Sequence, residues 1–178
     1  MTNGGVADTY VTVFITDKTK GARGATAFII DPRGRTLLLW HRRLKRWMPP
    51  GGHVAEDETP EETARRECLE ETGLDVSIEG EACTDHFVGN REEGGMLAKQ
   101  FDFLLENIPE CPERYEPAHQ HMDFIYIARP KNEKQTVKLA KEEGKEIRWF
   151  TRAEVEALDE EKEIFSNVKA YILTLLPS

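Results

Sequence analysis

Residues 52–74 read GHVAEDETPEETARRECLEETGL, and local chemistry sets a helix into this stretch. Thr59 suits the N-cap, Pro60 the first helical position, and Glu62 the place of a capping-box carboxylate. Gly73 is placed to end the helix in a left-handed cap, so the spacing predicts a helix over Pro60–Thr72. Glu67, Glu70 and Glu71 then stand at i, i+3 and i+4 and share one face. Like charges at that spacing repel, and helix formation does not ask for them. A hard divalent cation does, because Mg²⁺ or Mn²⁺ takes carboxylate oxygens and bridges to substrate phosphates. Arg66 can pair with Glu62 or Glu70 and hold a carboxylate in place. Just upstream, Gly51–Gly52 lets backbone approach a ligand closely. The competing reading is a solvated acidic helix, the commoner fate of Glu-rich segments.

Gly52, Glu58, Arg66, Glu67, Glu70, Glu71 and Gly73 fall at the spacing G-x5-E-x7-R-E-U-x-E-E-x-G-U. That is the Nudix box, and on these residues the chain resembles the Nudix hydrolases. A chance match in a chain of this length is on the order of one in a million, which weighs against the acidic-helix reading. The resemblance implies an α/β fold, the Nudix-type α/β/α sandwich with a mixed β-sheet. It implies divalent-metal-dependent hydrolysis of a pyrophosphate bond in a nucleoside diphosphate linked to another moiety, with Mg²⁺ (or Mn²⁺) as cofactor. Carried over from the family, Gly52 (through its carbonyl), Glu67, Glu70 and Glu71 are the metal ligands. Glu67, Glu70, Arg66 and Glu58 form the catalytic set, Glu58 pairing with Arg66 to support the loop. One position departs from the pattern: Cys68 stands where the family usually has Ile, Leu or Val. Cys is small and readily buried, so the expectation is looser packing with intact metal chemistry.

Two rivals follow from the same resemblance. A non-catalytic nucleotide-binding sensor is expected to lose box carboxylates, and none is missing. A prenyl-diphosphate isomerase needs a catalytic cysteine in the pocket, and neither Cys68, Cys83 nor Cys111 has a context that suggests one. Substrate identity stays open among nucleoside triphosphates, dinucleoside polyphosphates, nucleotide sugars and the 5′ end of RNA.

At 178 residues the chain suits a single domain, 1–178, with room for an N-terminal strand extension (1–20) and a substrate-loop insertion (89–117). Net charge is −9, which argues against a general nucleic-acid surface and leaves a small-molecule nucleotide as the expected partner, with a homodimer open. Three cysteines without paired or metal-ligand spacing fit a reducing, cytoplasmic setting. No apolar run approaches membrane-spanning length, and MTNGGVADTY lacks the make-up of a leader.

Strands are expected at Tyr10–Thr16, rich in Val, Tyr, Phe and Ile, at Leu74–Ile78, Ala82–Val88 and Phe101–Leu105, and, from alternation, at His119–Ala128 and Glu146–Phe150. Ala25–Ile30 and Thr36–Trp40 read as a hairpin closed by Asp31-Pro32-Arg33-Gly34. Thr151 with Glu154 opens a second capped helix. A last helix carries Ile164, Val168, Tyr171, Ile172 and Leu175 on one face.

Three further constellations carry candidate chemistry. In 89–117, Glu92, Glu93, Glu113 and Glu116 are candidate general bases within a segment that also reads as a surface loop. His41-Arg42-Arg43-Leu44-Lys45-Arg46-Trp47 is a basic run in an acidic protein. Arg42 and Arg43 are candidates for holding substrate phosphates, with Trp47 as a stacking or packing surface; a solvated hairpin edge fits equally. His119, His121 and Asp123 alternate onto one strand face, which fits polar packing, a substrate contact through His121, or a metal site. His86 is a weaker candidate on the preceding strand.

Overall fold

The structure, a computed structural model, describes residues 22–80, 97–108, 110, 117–142 and 144–177. The expected strands Tyr10–Thr16 and Ala82–Val88 lie outside these residues, as do His86, Cys83, Cys111 and the candidate bases Glu92, Glu93, Glu113 and Glu116.

Two long strands organise the molecule. β1 (Ala22–Ile29) and β7 (His119–Pro130) run parallel, in register from Ala22↔His121 to Ile29↔Ala128. On the far edge of β1 lies antiparallel β4 (Gly51–His53). The outer edge of β7 is shared by two antiparallel strands: β6 (Asp102–Ile108) along its first half and β5 (Val76–Ile78) along its end. This mixed sheet faces a smaller antiparallel one, β3-β2-β8, made of β2 (Thr36–His41), β3 (Arg46–Met48) and β8 (Gly144–Phe150).

Alternation along β1 divides the core. Ala25, Ala27 and Ile29 pack with Ala64 and Cys68 of helix α1 (Pro60–Thr72), together with Tyr126 and Ala128 of β7. Phe28 and Ile30 turn the other way, into a cluster with Trp47, Phe150, Val155, Val168 and Ile172. That second cluster is roofed by α2 (Arg152–Glu156) and α3 (Ser166–Leu175). Small side chains at Ala25, Ala27 and Ala64 let α1 lie close on the sheet, and Cys68 is fully buried there, as its apolar character requires. The result is the expected α/β/α sandwich with a mixed sheet.

Both capping boxes form. The Thr59 and Thr151 side chains accept from the backbone N–H groups of Glu62 and Glu154, whose carboxylates return the bond. Gly73 closes α1 at φ 72°.

The expected β1–β2 hairpin does not form as a ladder. Asp31 caps a tight turn, accepting from the Arg33 and Arg35 N–H groups at 2.9 Å. Pairing nonetheless stops at a single Ile30–Thr36 bridge, because β1 is held in one sheet by β4 and β7 while β2 joins β3 and β8. Residues 102–108, within the 89–117 span and overlapping the expected strand Phe101–Leu105, belong to the main sheet as β6.

Candidate active site

Strand β4 brings the two glycines of the box against α1. Gly52 pairs with Ala25, on the sheet face that α1 covers, and the Glu67 carboxylate fills the space where a Gly52 Cβ would stand. Next to it, the Gly51 N–H donates to Glu71 Oε2 at 3.1 Å. Glu71 is 5% exposed, whereas the Glu70 side chain stands at the rim.

One guanidinium ties the box together. Arg66 donates through Nε and Nη2 to the two oxygens of Glu58, at 2.8 and 3.0 Å. Through Nη1 it reaches Glu67 Oε1 at 2.8 Å and Glu70 Oε2 at 3.0 Å. The Thr63 hydroxyl adds a 2.7 Å bond to Glu58. The expected alternative Arg66–Glu62 pair is replaced, since Glu62 is taken up by the capping box. These bonds from Arg66 and Thr63 hold the Glu58 carboxyl below its usual range, and the carboxylates push the Arg66 guanidinium further up. The donor set offered at β4 and α1 is carboxylate and carbonyl oxygen throughout, which suits a hard divalent cation. Among the described residues, no three His, Cys, Asp or Glu side chains already close on one point.

The structure brings Gly52, Glu58, Arg66, Glu67, Glu70 and Glu71 together. Arg42 and Arg43 occupy the turn after β2 rather than the strand, so strand alternation does not sort them. Arg42 Nε donates to the carbonyls of Lys141 and Gly144 at 2.7 and 3.1 Å. Trp47 is buried in the core, edge-on to Trp40 and Phe150, so its role is packing.

His121 lies on the face of the main sheet turned away from α1, with His119 and Asp123. Sequence reasoning passed over two residues there. His53, next to the box glycines, has its ring centroid 5.0 Å from that of His121. Gly24 faces Asp123 so closely that a Cβ would come within 2.8 Å of Asp123 Oδ1. Burial pushes the Asp123 carboxyl up to about 7 against the bond from Thr26. The only local signal for His53 was its place beside Gly52; its approach to His121 depends on pairing across β1.

The family model described as NUDIX domain matches residues 20–171. A Streptomyces avermitilis protein named isopentenyl-diphosphate Delta-isomerase is 30% identical over 99 residues, covering 52% of this chain and 50% of that protein. A probable DHNTP pyrophosphohydrolase of Lactococcus lactis is 31% identical over 99 residues, covering 56% and 49%. The chain thus spans about half the length of the curated relatives it matches. Among solved structures, a NUDIX-family hydrolase from Clostridium perfringens superposes with a TM-score of 0.68 at 22% identity, covering 86% of this chain and 95% of that one.

Proposed function

The chain belongs to the Nudix family, and we propose that it hydrolyses a pyrophosphate bond in a small nucleotide, a nucleoside diphosphate linked to a further group, with Mg²⁺ or Mn²⁺. The observation that carries this reading is the closure of Glu67 and Glu71 on the two β4 glycines, with Arg66 bracing Glu58, Glu67 and Glu70. Glu67, Glu70, Glu71 and the Gly52 carbonyl are the groups that would hold the cation. When bound, a divalent cation neutralises phosphate charge and lowers the pKa of an attacking water. The chain's own part is to orient these oxygens and to accept a proton at a carboxylate. Arg66 keeps mutually repelling carboxylates on one face while no cation is bound. Cytoplasmic residence belongs to the same reading; no helix among the described residues is long and apolar enough to cross a membrane.

The similarity to a protein named as an isomerase favours a second reading, isomerisation of a prenyl diphosphate. It has weaker support. Cys68 is sealed beneath α1, and burial pushes its thiol well up, which unfits it for proton exchange with a substrate.

A substrate panel run with Mg²⁺ and Mn²⁺ tests the proposal, with products identified by mass spectrometry. It should include nucleoside triphosphates, dinucleoside polyphosphates, nucleotide sugars, DHNTP, 5′-triphosphate RNA and isopentenyl diphosphate. Metal-dependent cleavage of an anhydride is the expected result. Tight nucleotide binding without turnover would make the protein a sensor, and isomerised isopentenyl diphosphate without phosphate release would make it an isomerase. Light scattering of the eluted protein checks the homodimer.

A further inference from the structure

We infer that His53, His119 and His121 form a second metal site, selective for a borderline divalent ion such as Zn²⁺ or Co²⁺, on the sheet face opposite the box helix. None of these three imidazoles belongs to the box carboxylate–arginine network, which reaches these residues only at the His53 carbonyl.

Strand pairing assembles the site. His119 and His121 share a face of β7, and the row beside them runs His53 (β4), Gly24 (β1), Asp123 (β7). Because Gly24 has no side chain, nothing on β1 stands between His53 and β7. Glu106 of β6 is the cross-strand partner of His121, which places its carboxylate on the same face. Two of the rings already meet at their nitrogens, with His119 Nε2 2.8 Å from His121 Nε2. Ring centroids are 4.7 Å apart for His119 and His121 and 5.0 Å for His53 and His121.

The ring-centroid separations are those of imidazoles sharing one ion, while the 2.8 Å nitrogen contact is that of a hydrogen bond. Two nitrogens at Zn–N distances of 2.0–2.1 Å and a tetrahedral angle lie about 3.3 Å apart, and their ring centroids about 5 Å apart. Three donors are not yet gathered round one point among the described residues. Binding therefore turns the rings and opens the 2.8 Å contact by roughly half an ångström. Glu106 supplies the fourth, oxygen donor. Asp123 supplies the orienting contact: its Oδ2 is fixed by the Thr26 hydroxyl at 2.8 Å. Among the described residues its Oδ1 is buried with no hydrogen-bond partner; it sits over Gly24, on the side of His53, where it can accept a ring N–H and set the tautomer. Imidazole-rich coordination favours Zn²⁺ and Co²⁺ over Mg²⁺, whereas an all-oxygen site such as the box suits Mg²⁺ or Mn²⁺.

The test is metal titration of the full chain after chelator treatment and dialysis. Co²⁺ gives the visible absorption of a low-symmetry nitrogen site, and Zn²⁺ affinity is read by competition with a chromophoric chelator. The nitrogen-site Co²⁺ spectrum should appear in the unaltered protein and in the Glu67→Gln/Glu71→Gln variant alike, whatever the box itself takes up. His121→Ala should weaken Zn²⁺ by more than roughly a hundredfold, beyond what outer contacts cost, and Asp123→Asn by about ten- to a hundredfold. Circular dichroism shows whether each variant is folded, and the Co²⁺ spectrum of the unaltered protein needs no variant. Absence of that spectrum, or binding lost with the box carboxylates and kept without His121, overturns the site.

Discussion

The Gly51 backbone N–H donates to Glu71 Oε2 across the junction of β4 and α1, so a buried carboxylate is fixed in direction by the strand it faces. Replacing Glu71 with Gln keeps an acceptor of the same size for that N–H and removes only the charge. The fold should therefore survive in Glu71→Gln, while kcat/KM falls by roughly two to three powers of ten, the cost of losing one charge-stabilising group. Full turnover at saturating Mg²⁺ would remove Glu71 from the proposed chemistry.

The two glycines should fail in different ways. A Cβ at Gly52 meets the movable end of Glu67, whereas one at Gly51 meets the Ala25 carbonyl at 2.9 Å and the Thr26 Cα at 3.0 Å. Gly51→Ala is expected to cost about 1–3 kcal/mol of stability through overpacking. Gly52→Ala should melt near the unaltered protein and still lose at least about tenfold in activity, because displacing a positioned group is costly in rate. Thermal melts beside steady-state kinetics separate the two, and equal melting shifts would contradict the geometry.

What the sequence revealed follows the range of the interactions. The helix at 60–72 was legible to the residue because its start and stop are set by Thr59, Pro60, Glu62 and Gly73, all within a turn of where they act. The box carboxylates were legible for the same reason. The β1–β2 connection was misread because a good turn at Asp31–Gly34 says nothing of where its strands go next, and β1 is claimed by β7 from far along the chain. Strands β3 and β4 were passed over, being three residues each and rich in charge or glycine. Trp47, flanked by Arg46 and exposed residues before it, gave no local sign of burial. The nearness of His53 to His121 exists only through β1, and no pattern in either segment announces it.

The second capping box gives a pH dependence away from any site chemistry. Bonds from Thr151 hold the Glu154 carboxyl below its ordinary value of 4.5. A depressed folded value means that this stabilisation is present above the unfolded pKa and is lost as pH falls through the folded one. At pH 7, Thr151→Ala should cost about 1 kcal/mol as a lost N-cap, and the gap between variant and unaltered protein should narrow below pH 4.5. Melting curves from pH 7 down to acid check this; a gap that widens in acid would contradict the sign.

The basic run at the β2–β3 turn divides into tethers and exposed cations. Arg42 binds the carbonyls of Lys141 and Gly144. Arg46 binds those of Glu161 and Lys162 and stacks over Phe165 at 5.6 Å. Both pin the turn to the C-terminal half of the chain. Arg42→Ala and Arg46→Ala should therefore each lower stability by about 1 kcal/mol, a shift in Tm of roughly 2–4 °C for a domain of this size, with KM unchanged. Arg43 and Lys45 are exposed, and among the described residues their side chains make no hydrogen bond or ion pair. These two cations are the ones that the fold leaves untethered, and the expected phosphate contact falls to them. The Arg43→Ala/Lys45→Ala variant should melt like the unaltered protein and raise KM about tenfold, as loss of a charge-assisted bond predicts. An unchanged KM would make the run a solvated turn whose arginines serve the fold alone.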